Sequence, residues 1–243
     1  DYDFDVLLNT PLAFPIQWQK SKIDGFGIKV TVPMTHGVSA YSVLGHTRSR
    51  FFGPEVGGIL FNDSPVPAGV PFRIDHDQAF QQSTHMQYQP KPRGPWYGIT
   101  WRYESGLVAG NAPVDNGQTP TDLTYLTADQ QSQILLRCGN VQATRTAPLT
   151  SCPTGKLSSP LLSLPKPGTE NDDRNPPRVA PRTMFDMAAG WDNILRRERF
   201  KTNVSVTAVN VTNKYALYNF LSTFSGTHFV SPRTVSGQVT LNF

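Results

Sequence analysis

The chain has 243 residues and a mass of 26.9 kDa, enough for one large domain or two small ones. Its net charge of +4, from 22 Lys and Arg against 18 Asp and Glu, is too small and too dispersed for a nucleic-acid binder. No run of about 18 apolar residues occurs, which excludes a transmembrane helix, and 19 Gly and 21 Pro with scarce helical periodicity favour a β-rich, loop-rich protein.

Residues 1–23 read as irregular, broken by Pro11 and Pro15. Strict alternation then predicts a strand over 24–34, with Phe26, Ile28, Val30 and Val32 on one face and Gly27, Lys29 and Thr31 on the other. The turn Pro33-Met-Thr-His-Gly37 leads into a return strand over 37–48, where Tyr41 and Val43 oppose Ser42 and Leu44. A long Gly- and Pro-rich connection over 49–80 carries Arg50, Arg73 and the triplet Asp75-His76-Asp77. Strands over 81–90 and 95–107 follow, joined by Pro90-Lys-Pro-Arg-Gly94. In the second, Tyr97, Ile99, Trp101 and Tyr103 line one face, opposite Trp96, Gly98, Thr100, Arg102 and Glu104. Charged Arg102 and Glu104 in mid-strand call for a polar environment on their side, which a barrel lumen supplies and a sandwich core does not.

The connection over 108–182 is the longest, and structureless connections of this length are uncommon in compact domains unless functional. Within it, 127–137 reads as a short helix, with Thr127 as N-cap and Gln130 completing a capping box. Cys138 at its end is expected to pair with Cys152, contributing on the order of 3 kcal/mol and implying an oxidising compartment. Residues 157–182 are Pro-rich and read as irregular.

Strands over 183–192 and 201–212 flank a charged turn holding Arg196, Arg197, Glu198 and Arg199. Phe185, Met187, Ala189 and Trp191 oppose Asp186 and Ala188, and Val204, Val206 and Ala208 oppose Ser205 and Thr207. After an aromatic-rich connection over 213–233, the last strand, 234–243, sets Val235, Gly237, Val239, Leu241 and Phe243 against Ser236, Gln238, Thr240 and Asn242.

Short turns near 35, 92 and 196 thus alternate with long connections, so an antiparallel sheet would carry all short turns at one end. The fold expected is all-β: an antiparallel transmembrane β-barrel wall of about seven strands, each near the 9–11 residues of a tilted crossing, with long extracellular loops and one short loop helix. A hydrophobic content of 38% and a mean hydropathy of −0.35 agree with strands that turn half their side chains to a polar lumen. Trp96, Tyr97, Trp101, Tyr103, Trp191 and Phe243 lie near strand ends, where interfacial girdles form.

Candidate chemistry is sparse. Arg73, Asp75, His76 and Asp77 could face a ligand at an external mouth, but three successive residues do not share one side, which favours loop hydrogen bonding over a metal. Glu170, Asp172 and Asp173 lack the spacing of a calcium loop. No nucleophile motif accompanies His36, His46, His85 or His228, so neither an enzyme nor a cofactor is expected. Asp1-Tyr-Asp-Phe-Asp5 is not a signal peptide, and the absence of an initiator methionine points to a processed chain or a fragment.

Several stretches resemble the C-terminal part of TonB-dependent outer-membrane receptors, in particular the Oar-like type with a carboxypeptidase-regulatory-like domain. They are Val43-Leu-Gly-His-Thr-Arg48, Phe72-Arg-Ile-Asp-His-Asp-Gln78, Gly94-Pro-Trp-Tyr-Gly-Ile-Thr-Trp-Arg-Tyr103, Gly168-Thr-Glu-Asn-Asp-Asp173, Ala208-Val-Asn-Val-Thr-Asn213 and Tyr218-Asn-Phe-Leu-Ser-Thr-Phe-Ser-Gly-Thr-His-Phe229. The resemblance implies a bacterial outer-membrane barrel of about 22 strands. It implies uptake of a scarce nutrient (siderophore, carbohydrate or peptide), with outer-membrane lipid and TonB as partners, the latter through a plug region. Val239, Leu241 and Phe243 would form the signal for the barrel-assembly machinery. No plug is contained in 1–243, and the strands suffice for about a third of such a wall, so a portion of a longer receptor is expected. The alternatives are a non-transporting structural or adhesive surface protein that completes a barrel with other chains, and a soluble β-sandwich binding module.

Overall fold

The computed structural model describes residues 2–3, 6–7, 10–11, 14–57, 68–74, 76–110, 122–197, 201–222 and 226–242. Seven long strands form its main sheet: β1 (Phe14–Thr35), β2 (Val38–Gly57), β3 (Gln78–Tyr88), β4 (Pro95–Glu104), β5 (Arg182–Trp191), β6 (Lys201–Val209) and β7 (Thr234–Asn242). They pair in chain order, all antiparallel, with the two-residue strands Tyr2–Asp3 against β1 and Pro71–Phe72 against β2. The sheet is open: the edge of β7 away from β6 has no partner among the described residues.

Two predicted boundaries move. The first hairpin has strands of 22 and 20 residues, far longer than 24–34 and 37–48. Segments read as irregular (from 14) and as connection (to 57) extend it, with Ile16 paired to Gly57 and Pro15 to Tyr2. Its turn is the pair His36-Gly37, with φ of 52° and 83°, the two left-handed residues of a type I′ turn. A Cβ on Gly37 would also stand 2.8 Å from the Gln89 carbonyl oxygen. A register shift between Val32 and Thr35 absorbs Pro33.

The register decides the two faces. Across β1 and β2, Ile28 faces Leu44 and Val32 faces Ala40; then Ala40 faces Met86, Met86 faces Ile99, Ile99 faces Met187, Met187 faces Ala208, and Ala208 faces Val235. Directly opposed residues share a face, so one apolar surface runs across all seven strands. On β2 it is built by Ala40 and Leu44; Tyr41 and Val43 lie on the other face, where Tyr41 stacks on His85 with ring centroids 5.3 Å apart. Trp96 also lies on that second face, directly opposite Gly190, and so leaves the aromatic set expected at the apolar surface.

The apolar face is uncovered. Phe26 is 62% exposed, Tyr97 56%, Val206 53% and Val239 68%. The buried apolar residues lie instead mainly in the connections, where Leu123, Leu126, Ile134, Leu136, Leu161, Leu162, Val179, Leu217 and Phe220 form a single cluster. The connections 108–182 and 213–233 therefore build one loop unit with its own core, whereas 157–182 alone reads as irregular. Its pieces are short: a ladder joining Arg137–Cys138, Val141–Gln142 and Leu157–Ser158, the pair Leu162–Ser163 with Arg178–Val179, and the hairpin Leu217–Ser222 with Gly226–Phe229.

The helix α1 spans Ala128–Gln133, shorter than 127–137, with the Thr127–Gln130 capping box formed. It stops because Leu135 turns left-handed (φ 53°) and Arg137–Cys138 joins the ladder. Gln131 is buried, and its amide donates to the carbonyls of Thr124, Leu126 and Leu149 while its oxygen accepts from Leu149 N–H. A buried amide with its bonds made rigidifies a small core. Cys138 and Cys152 are disulfide-bonded, with Cα atoms 5.8 Å apart.

Candidate functional site

Period two places Arg102 and Glu104 of β4 and Arg182, Met184 and Asp186 of β5 on the polar face. Glu104 stands directly opposite Arg182 and pairs with it, and Arg102 reaches diagonally to Asp186 at 2.7 Å. Asp186 also accepts from the Asn210 backbone N–H at 2.8 Å. Two mid-sheet charges are thus neutralised by two on the neighbouring strand, which accounts for their presence on this face. The same face continues across β1 to β4 as a polar chain: Lys29 Nζ lies 5.5 Å from the Tyr41 ring, Tyr41 stacks on His85, and His85 Nδ1 is 2.9 Å from Thr100 Oγ1.

Arg182 carries the loop unit onto this face. It is 2% exposed, donates from Nη1 to the Leu217 carbonyl at 2.6 Å, and sets its guanidinium 5.1 Å from the Tyr218 ring. Asn210 closes the other side. Buried with φ 50°, its side chain donates to the Lys214 and Ser231 carbonyls and accepts from Lys214 N–H. Between the sheet and the hairpin of 217–229 remains a cavity of about 490 Å³, lined among others by Arg102, Glu104, Arg182, Asn210, Tyr218 and His228. Its donors, acceptors and aromatic edges are of the kind that orient a polar ligand. A second depression of about 570 Å³, bounded by Met86, Tyr97, Ile99, Met187 and Val206, lies on the apolar face and offers almost no polar group to orient a ligand.

Beyond the cavity, an ion-pair cluster ties the connection 49–80 to 108–182. Arg50 forms a two-pronged pair with Asp173 at 2.6 and 2.7 Å. Arg73 pairs with Asp77 at 3.0 Å and also donates to the Asp173 carbonyl. Arg178 pairs with Asp77, whose other oxygen accepts from Ser49 N–H at 2.9 Å. Asp77 is 1% exposed, so of the residues read as ligand-facing, Arg73 and Asp77 are engaged in holding two connections together. His76 is exposed; its carbonyl accepts from Ser49 Oγ and its ring centroid lies 6.1 Å from that of Phe51. Asp75 lies outside the described residues. Asp173 belongs to the cluster, and among the described residues no group of three His, Cys, Asp or Glu could hold a metal ion.

In the last strand Val239 and Leu241 stand on the apolar face, 68% and 59% exposed, while Phe243 lies outside the described residues. Sequence reasoning missed Arg178, Arg182, Asp186 and Asn210. Their only sequence signal is a charge or amide interrupting an alternating run, and it becomes informative once register sets Arg182 opposite Glu104. Comparison of the chain with known protein families, with curated proteins and with solved structures found no match.

Proposed function

We propose that this chain is a stretch of transmembrane β-barrel wall from the C-terminal part of a TonB-dependent outer-membrane receptor of the Oar-like type, serving uptake of a scarce nutrient. The observation that carries this reading is the inverted distribution of apolar side chains. On the apolar face of the seven strands large side chains such as Phe26, Tyr97, Val206 and Val239 are exposed, while the buried apolar residues lie mainly in the connections, where they form one cluster. A soluble monomer rarely exposes a contiguous apolar surface beyond a few hundred Å². A strand crossing lipid turns such a face outward and its polar face to the lumen. The end-to-end asymmetry supports the same reading: the turns at 36–37 and 89–94 lie at one end and the folded connections at the other.

On this reading the loop unit faces the outside and the cavity beneath it opens on the lumen. A siderophore, carbohydrate or peptide passing the loops would meet Arg102, Arg182, Tyr218 and His228 as hydrogen-bonding and stacking groups. TonB would act on a plug held within the completed wall. The Cys138–Cys152 disulfide agrees with an extracytoplasmic loop. The edge of β7, without a partner among the described residues, also agrees with a surface protein that completes its wall with other chains.

The test uses tryptophan fluorescence in bilayers with bromine-labelled acyl chains. Trp101 lies on the apolar face and Trp96 on the polar one. A variant keeping only Trp101 should be quenched severalfold more than one keeping only Trp96. Equal quenching, or a chain that stays monomeric without detergent, defeats the reading.

A further inference from the structure

The outward face of the long hairpin changes character at one row. Going along β1 with its partner on β2, the rows on this face are Lys20 with Phe52, Lys22 with Arg50, and Asp24 with Arg48. Next come Phe26 with His46, Ile28 with Leu44, Val30 with Ser42 and Val32 with Ala40. Phe26, Ile28, Val30, Val32 and Met34 are all about half exposed or more, and Lys20, Lys22 and Arg48 are exposed. From Phe26 to Met34 the strand covers about nine residues, one tilted bilayer crossing taking about 9–11. The cations therefore begin where the apolar band ends.

We propose that Lys20, Lys22 and Arg48 form a docking site for a phosphate-bearing lipid, whose headgroup they bind while its acyl chains lie along Phe26, Ile28 and Val30. This rests on the reading of the apolar face as lipid-facing. The geometry fits one amphipathic molecule: opposed side chains stand about 5 Å apart and successive rows about 7 Å apart, so the three cations lie within reach of one or two phosphates. The charge is unbalanced. Asp24 is the carboxylate in these rows, while Arg50, beside Lys22, is already engaged by Asp173. Lys20 Nζ is steadied 5.4 Å from the Phe52 ring, holding its charge at this level of the hairpin. At the other end of the same face Met34 and Val38 lead directly into the turn, so the basic rows mark one leaflet only. Each Lys or Arg near an anionic lipid surface is worth about a fivefold factor in binding, so removing three should cost tens-fold or more.

The full chain, refolded into mixed bilayer discs of phosphatidylcholine and phosphatidylglycerol, would be analysed for co-purifying lipid by native mass spectrometry. The parent chain should retain phosphatidylglycerol over phosphatidylcholine. Lys20→Gln, Lys22→Gln and Arg48→Gln together should reduce that preference by tens-fold. Lys20→Arg, Lys22→Arg and Arg48→Lys together should keep it, which separates charge from misfolding. An unchanged preference in the Gln variant, or its loss in the charge-conserving one, overturns the proposal. So does displacement of the lipid by millimolar inorganic phosphate, which would assign the patch to free phosphate. Failure to enter even phosphatidylcholine discs refutes the lipid-facing reading, and the docking site with it.

Discussion

Val206→Arg measures what surrounds the apolar face. Val206 is central in β6, stands opposite Ala189 on one side and Gly237 on the other, and is 53% exposed. These small neighbours leave room for a longer side chain, so steric cost is slight. If the face meets water, a surface substitution of this kind changes stability by no more than about 0.5 kcal/mol. If it meets hydrocarbon near the bilayer middle, arginine costs about 2–4 kcal/mol. The control is the next residue, Thr207→Arg, whose side chain points to the polar face beside Ser236; there the cost should stay within about 1 kcal/mol in either environment. Urea unfolding in phospholipid vesicles, followed by tryptophan fluorescence, yields both values. A Val206→Arg cost equal to that of Thr207→Arg would refute the assignment of the faces to lipid and lumen.

Three further outcomes are expected. Asp77→Ala strands the Arg73 and Arg178 guanidinium groups around a site that is 1% exposed, and should cost about 3–5 kcal/mol, with proteolysis appearing first in 49–80 and 108–182. In Gly190→Ala the new Cβ would lie 2.5 Å from the Trp96 ring and 2.7 Å from the Val204 carbonyl oxygen; about 1–3 kcal/mol should be lost on thermal unfolding, and Trp96→Ala should restore only the ring's share. Replacing Cys138 and Cys152 together by Ser opens a loop with a sequence separation of 14, and should remove about 3 kcal/mol from the loop unit. Hydrogen exchange should then quicken around Gln131 and Leu136, with the seven strands unchanged, because among the described residues none of the seven strands contributes to that unit's core.

Local chemistry reached the strands through a simple rule. A period of two is written in each run, so the faces of β1, β4 and β7 follow from Phe26–Val32, Tyr97–Tyr103 and Val235–Leu241 without reference to any neighbour. The Thr127–Gln130 capping box was equally legible, because its partners lie three residues apart. The charged pair Arg102 and Glu104 announced a polar face, but their counter-ions Asp186 and Arg182 lie about eighty residues on, where only register can deliver them.

By itself, then, the sequence determined the all-β class, the approximate strands, the short turns and the two-faced character of the sheet, because each depends on residues adjacent in the chain. Tertiary structure alone decided that Tyr41 and Val43 belong to the polar face, that the connections share one core, and that Arg73 and Asp77 reach Asp173 and Arg178 of another connection. Those outcomes depend on which surfaces meet across a hundred residues of chain. Alternation says that a strand has two faces; pairing says which neighbour each face meets.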